Sequence, residues 1–133
     1  MSDEKDDLRK RTKRFALRVI KVYETLPRSG SPQVIGHQLL RSGTSVGANF
    51  REAHRARSKA EFVSKVGESR RELEEAAYWL ELLAESGTVA QQKLALLLDE
   101  ASQLIAILTS IAKKGPSAPV IILSFIAHPS SFL

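Results

Sequence analysis

The chain has 133 residues, a length suited to a single domain whose core covers roughly two-thirds of the surface of the unfolded chain. With 43% hydrophobic and 26% charged residues, seven Gly and five Pro, it has the make-up of a folded domain and not of a low-complexity segment. There is no cysteine, which excludes a disulfide framework, a thiolate metal site and a cysteine nucleophile.

Apolar residues Phe15, Val19, Val22 and Leu26 recur at spacings of four, three and four, widened by Ala16, Ile20 and Tyr23. This predicts a first helix over residues 6–26, with Asp3, Glu4, Asp6 and Asp7 at the end where acids complement the helix dipole. Pro27, Ser29, Gly30 and Pro32 then break the chain. A second helix is expected to start at Ser31, with Pro32 in a first turn where its missing N–H costs least, and to end near Arg55 to Arg57. Projected at the helical period, Ile35, Leu39, Gly43, Val46, Gly47, Phe50 and Ala53 share one side, and Gln38, Arg41, Ser45, Glu52 and Arg55 the other.

Ser58 with Glu61 three residues on is a capping box that opens a third helix. Phe62, Val66, Ser69, Leu73, Ala76, Leu80 and Leu83 give it a bundle seam, closed at Ser86-Gly87. Thr88 and Gln91 repeat the capping pattern, and Leu94, Leu97, Ala101, Leu104, Leu108 and Ile111 form the seam of a fourth helix, stopped by Lys113, Lys114, Gly115 and Pro116. The expected fold is all-α, an antiparallel up-down four-helix bundle over residues 1–115 with an extended apolar tail at 116–133. The β-branched run between Pro119 and Pro129 reads either as a segment that docks in a groove or on a neighbouring chain, or as a frayed end. The charged start MSDEKDDLRKRTKR lacks the apolar run of a signal peptide, and the apolar run from Val120 to Ala127 is far short of the ~20 residues of a membrane span, so a cytoplasmic location without a membrane partner is expected.

The small-residue run SGTSVGANF, Ser42 to Phe50, raises the question of a phosphate loop. No strand precedes it, no Lys follows Gly47, and helical periodicity runs through it. Gly43 and Gly47, one turn apart, instead predict a close helix crossing, with Ser42 and Asn49 making a buried polar contact between helices. No Glu-x-x-His pair is present for a di-iron site, His37, His54 and His128 have no metal-ligand spacing, and no nucleophile elbow is found; no catalytic residue, metal or cofactor is expected. Glu68, Glu72 and Glu75 share a face among arginines and read as a salt-bridged surface. Adjacent Tyr78 and Trp79 cannot both face one core, so one of them is expected at an oligomer contact or with its polar edge in water.

The charge is distributed unevenly, since residues 1–71 carry 17 Lys and Arg against 8 Asp and Glu, and residues 72–133 carry 3 against 7. Arg11, Arg14 and Arg18 on the first helix, and Arg41, Arg51, Arg55, Arg57 and Lys59 on and after the second, are the candidates for contact with RNA or DNA phosphates. Aromatic residues are not interleaved among them, so such binding would be weakly sequence-specific; a merely solvated charged surface is the alternative. A second functional reading is a protein–protein interaction module for an acidic partner, with no nucleic acid involved.

Residues 37–83 resemble the signature of the small four-helix bundle proteins also called 23S rRNA intervening-sequence proteins. The shared pattern Q-L-x-R-[SA]-x-x-S-[VI]-x-x-N-x-x-E-[AG] is matched by Gln38, Leu39, Arg41, Ser42, Ser45, Val46, Asn49, Glu52 and Ala53, followed by a Ser-Lys-x-Glu-Phe helix start at Ser58 to Phe62. With the first and fourth helices the likeness covers roughly residues 8–114. The resemblance implies a homo-oligomer, a pentameric ring, without enzymatic activity. It also brings in a related branch, the accessory variability proteins of diversity-generating retroelements, which bind nucleic acid and a reverse transcriptase; by that likeness Arg41, Arg51 and Arg55 are the candidate contacts. Many relatives have Pro where this chain has Gly47, and the tail after Gly115 is longer than the resemblance requires.

Overall fold

A computed structural model describes residues 2–115. Four helices follow one another: α1 (Ser2–Glu24), α2 (Gly30–His54), α3 (Lys59–Glu85) and α4 (Gln91–Lys114). The seams anticipated in the apolar spacing are buried, except that Val22 of α1 and Ile35 of α2 are only partly covered. Phe15 and Val19 of α1, Leu39, Val46 and Phe50 of α2, Leu73, Leu80 and Leu83 of α3, and Leu104 and Leu108 of α4 are at most 1% exposed and form one apolar core. Consecutive helices pack side by side, giving the up-down bundle. The seam between α1 and α4 is the lightest of the four side-by-side helix contacts and carries a polar clip.

Gly43 and Gly47 of α2 let α1 approach closely. A Cβ built on Gly43 would lie 2.8 Å from Val19 Cγ1, and one on Gly47 would lie 3.2 Å from Thr12 Oγ1. The run SGTSVGANF is therefore continuous helix with α1 lying against it, in the same chain. Ser42 and Asn49 do not bridge helices as expected. Ser42 Oγ donates to Gln38 O at 2.8 Å and Asn49 Nδ2 to Ser45 O at 3.0 Å, both on their own helix, because the i−4 carbonyl is the nearest acceptor for a short side chain. A buried polar contact between α2 and α3 comes instead from Ser69, whose Oγ donates to Val46 O at 2.7 Å.

Helix starts depart from the pattern in instructive ways. Ser58 caps α3, its side chain accepting from Glu61 N at 3.0 Å. Thr88 does not cap α4, which begins at Gln91 after Ala90; Thr88 Oγ1 is 2.9 Å from Ser86 Oγ, a local pair that takes the hydroxyl away from the helix start. Replacing Ser58 with Ala is expected to lower stability by about 1 kcal/mol in a urea titration, whereas Thr88→Ala is expected to change it little. α1 begins earlier than expected and ends at Glu24, two residues before the buried Leu26. The expected tail at 116–133 lies outside the described residues.

α4 is long and apolar enough to cross a membrane by length and composition, with a mean hydropathy of 1.6 over an 18-residue window. Leu94, Leu97, Ala101, Leu104, Ile107, Leu108 and Ile111 are nevertheless buried against the rest of the bundle, the pattern of a core helix.

Candidate nucleic-acid interface

The basic residues of the sequence separate into three groups once folded. The first is the α2–α3 turn. α2 closes as Arg55 N–H donates to Glu52 O at 3.0 Å and Ala56 N–H to Ala53 O at 3.1 Å, and α3 opens at the Ser58 cap. Between and beside these closures Arg51, Arg55, Arg57 and Lys59 are all exposed.

The up-down topology adds cations that sequence reading treated only as a helix stop. Gly115, at the end of α4, is so close to Lys59 that a Cβ there would lie 2.8 Å from Lys59 Cε, and its φ of 78° suits glycine. Lys113 and Lys114, both exposed, therefore belong to the same end of the bundle as Arg55, Arg57 and Lys59. Two helix C-termini, of α2 and α4, meet here, and each favours cations in its last turn. The register of α1 against α2, with Thr12 at Gly47 and Val19 at Gly43, runs Arg9 and Lys10 toward this end as well. Glu52, the nearest acid on α2, is engaged by Lys65 Nζ at 3.0 Å.

The second group lies on α1, where one member is sequestered. Arg11 is 7% exposed; its Nε and Nη2 donate to the Glu100 carboxylate at 3.1 and 2.9 Å, and Nη2 also donates to Gln103 Oε1 at 3.2 Å. It clips α1 to α4 and does not face solvent as a phosphate ligand would. Arg14 is exposed and Arg18 half-buried on the same helix, away from the turn.

The third group lies on the α2–α3 seam. Arg41 Nη1 donates to both oxygens of Glu72, at 3.2 and 3.0 Å, and Nη2 donates to Glu75, which also accepts from Trp79 Nε1 at 3.0 Å. Trp79 thus keeps its polar edge engaged while Tyr78 is 52% exposed. Arg41 reaches the surface already neutralised, beside a groove of ≈ 500 Å³ lined by Asn49, Glu68, Arg71, Glu72 and Glu75. The glutamates are a salt-bridged surface as expected, but their partners are Arg41 and Lys65 from across or along the seam.

The donor from Trp79, and then the Arg41 guanidinium, hold the Glu75 carboxyl below its ordinary value of 4.5. A carboxyl with a lowered folded-state value contributes stability that is present above its unfolded value and lost as pH falls through the folded one. We expect a urea midpoint that declines below about pH 4.5 and a smaller decline in Trp79→Phe, which removes the larger cause.

Among the described residues no group of three or more His, Asp and Glu could hold a metal ion. Among the described residues, what the turn end offers is a patch of guanidinium and ammonium groups without an exposed aromatic; Tyr78 lies about 28 Å of helix rise along α3 from Lys59. Such a patch suits phosphate oxygens and offers no platform for base stacking.

The fold and this surface define a small all-α bundle whose α2–α3 turn carries a group of exposed cations. Over residues 4–110 the chain matches the family described as 23S rRNA-intervening sequence protein, and it belongs to that family. A crystal structure of a protein of unknown function from the S23 ribosomal protein family of Bacteroides thetaiotaomicron is similar at 32% identity and a TM-score of 0.73, covering 80% of this chain and 98% of that one. Among curated proteins, none matches the chain.

Proposed function

We propose that this chain is a non-enzymatic accessory or scaffold protein that holds the phosphate backbone of RNA or DNA at the basic end of its bundle. The carrying observation is the convergence of Arg51, Arg55, Arg57, Lys59, Lys113 and Lys114, from two chain regions, on one end. The ligands are phosphates, read with little sequence preference, and counterion release drives the binding. Membership of a family described by an intervening sequence of 23S rRNA is compatible with a nucleic-acid setting. In a gel-shift titration the complex should form at 50 mM salt and weaken steeply by 200 mM; no complex at low salt, or one indifferent to salt, would overturn the proposal.

The same reading includes self-association, a ring of subunits by the family resemblance. Leu17 (53% exposed), Val34 (66%) and Leu96 (75%) are large apolar side chains left in water by the single bundle, which supports burial between subunits. Light scattering after size exclusion should give a multiple of 14.7 kDa; a strictly monomeric mass would contradict it.

A further inference from the structure

Across the helix seams the chain pairs its charges, Arg11 with Glu100, Arg41 with Glu72 and Glu75, and Lys65 with Glu52. The α1–α2 turn, at the other end of α2 from the exposed cations, differs. There Tyr23, Glu24, Leu26, Arg28 and Gln33 line one cavity of ≈ 400 Å³, within the size range of small-molecule sites. Among the described residues Arg28 makes no ion pair, and Glu24 has only Lys21 Nζ, at 3.9 Å. Two opposite charges thus line the same cavity without pairing with each other. The remaining lining is pinned. Leu26 N–H donates to Tyr23 O at 3.1 Å, and both side chains lie against Gly36 of α2, where a Cβ would come within 2.7 Å of Leu26 Cδ1 and 3.1 Å of Tyr23 Cδ1.

The Tyr23 ring stacks on His37 with centroids 5.7 Å apart, and Gln33 Nε2 donates to Tyr23 Oη at 3.2 Å and lies 2.7 Å from His37 Nε2. With both Gln33 N–H groups so engaged, Gln33 Oε1 is left as an acceptor and the Tyr23 hydroxyl proton as a donor, neither with a partner among the described residues. The lining therefore offers two donors, on Arg28 and Tyr23, two acceptors, on Glu24 and Gln33, and apolar surface from Leu26 and the Tyr23 ring. We propose that this cavity binds a free α-amino acid with an apolar side chain, its carboxylate on Arg28 and Tyr23 and its ammonium on Glu24 and Gln33. A plain anion would meet the Glu24 carboxylate and a plain amine the Arg28 guanidinium, so a molecule carrying both charges side by side is the one favoured at both. Arg28 and Glu24 are exposed, so water and salt screen them, and the affinity is of the order of millimolar.

The test is a calorimetric titration of the full chain with L-leucine and with two molecules that keep its side chain but lack one charge. These are 4-methylpentanoate, without the ammonium, and 3-methylbutylamine, without the carboxylate. L-Leucine should bind saturably and each analogue about tenfold more weakly, the loss that follows when a charged hydrogen-bonding group goes without its partner. Arg28→Gln should weaken L-leucine about tenfold without weakening 3-methylbutylamine, and Glu24→Gln should weaken L-leucine similarly without weakening 4-methylpentanoate. Both substitutions are at exposed positions and leave the core untouched. No saturation by about 50 mM L-leucine would overturn the proposal. So would 4-methylpentanoate binding as well as L-leucine, which would make this a plain anion site, or L-leucine binding indifferent to both substitutions.

Discussion

Gly43→Leu is expected to be the most damaging single substitution in the bundle, costing about 3 kcal/mol or preventing folding. A Cβ at this position already lies 2.8 and 2.9 Å from the two methyl carbons of Val19, which is fully buried and has nowhere to move. Any side chain must therefore push α1 off α2 at this close contact. The milder pair of variants separates this cause from helix propensity, which favours Ala over Gly by about 1 kcal/mol at either site. At Gly47 the nearest atom is the Thr12 hydroxyl at 3.2 Å, a contact that a small displacement relieves. Gly47→Ala should be near neutral in urea denaturation and Gly43→Ala destabilising by about 1–2 kcal/mol. Equal effects at the two positions would contradict the close-approach account.

Glu100→Ala should lower stability by about 3 kcal/mol, because it removes the carboxylate that accepts from two nitrogens of the Arg11 guanidinium in a site where only 7% of the residue is exposed. Gln103 Oε1 remains as an acceptor, but a neutral amide does not replace the carboxylate charge. The reciprocal change, Arg11→Met, removes the charge that must be desolvated and keeps an apolar stem against the core, so it should cost far less. The ordering of the two variants is the diagnostic result. If Arg11→Met were the worse, the clip between α1 and α4 would be a net source of stability and not chiefly a device of register.

The four helices were legible in the sequence because their apolar spacings have a strong helical period, and every seam residue from Phe62 to Leu83 on α3 is buried as that period requires. Helix starts were less legible. The Ser58 and Thr88 patterns look alike, yet only Ser58 caps, since Thr88 is diverted to Ser86 by the geometry of the preceding turn. Among the charged residues, a helix projection cannot tell Arg11 from Arg14, because which flank of α1 meets α4 is a tertiary fact; Arg11 is buried against Glu100, and Arg14 is in water. In the sequence Lys113 and Lys114 read only as part of a helix stop, although an up-down topology already sends the end of α4 to the start of α3. Combining topology with charge would have found them.

The central claim is that exposed cations at the α2–α3 turn, and not the basic residues of the chain at large, bind phosphates. The direct test compares salt titrations of nucleic-acid affinity for the unsubstituted chain, for Arg51, Arg55, Arg57 and Lys59 all changed to Gln, and for Arg41→Gln as a control at the neutralised seam. Loss of four phosphate contacts should flatten the slope of log affinity against log salt by about 3 and weaken binding ~100-fold at 50 mM salt, with Arg41→Gln close to the unsubstituted chain. An unchanged slope in the fourfold variant, with circular dichroism showing it folded, would contradict the claim.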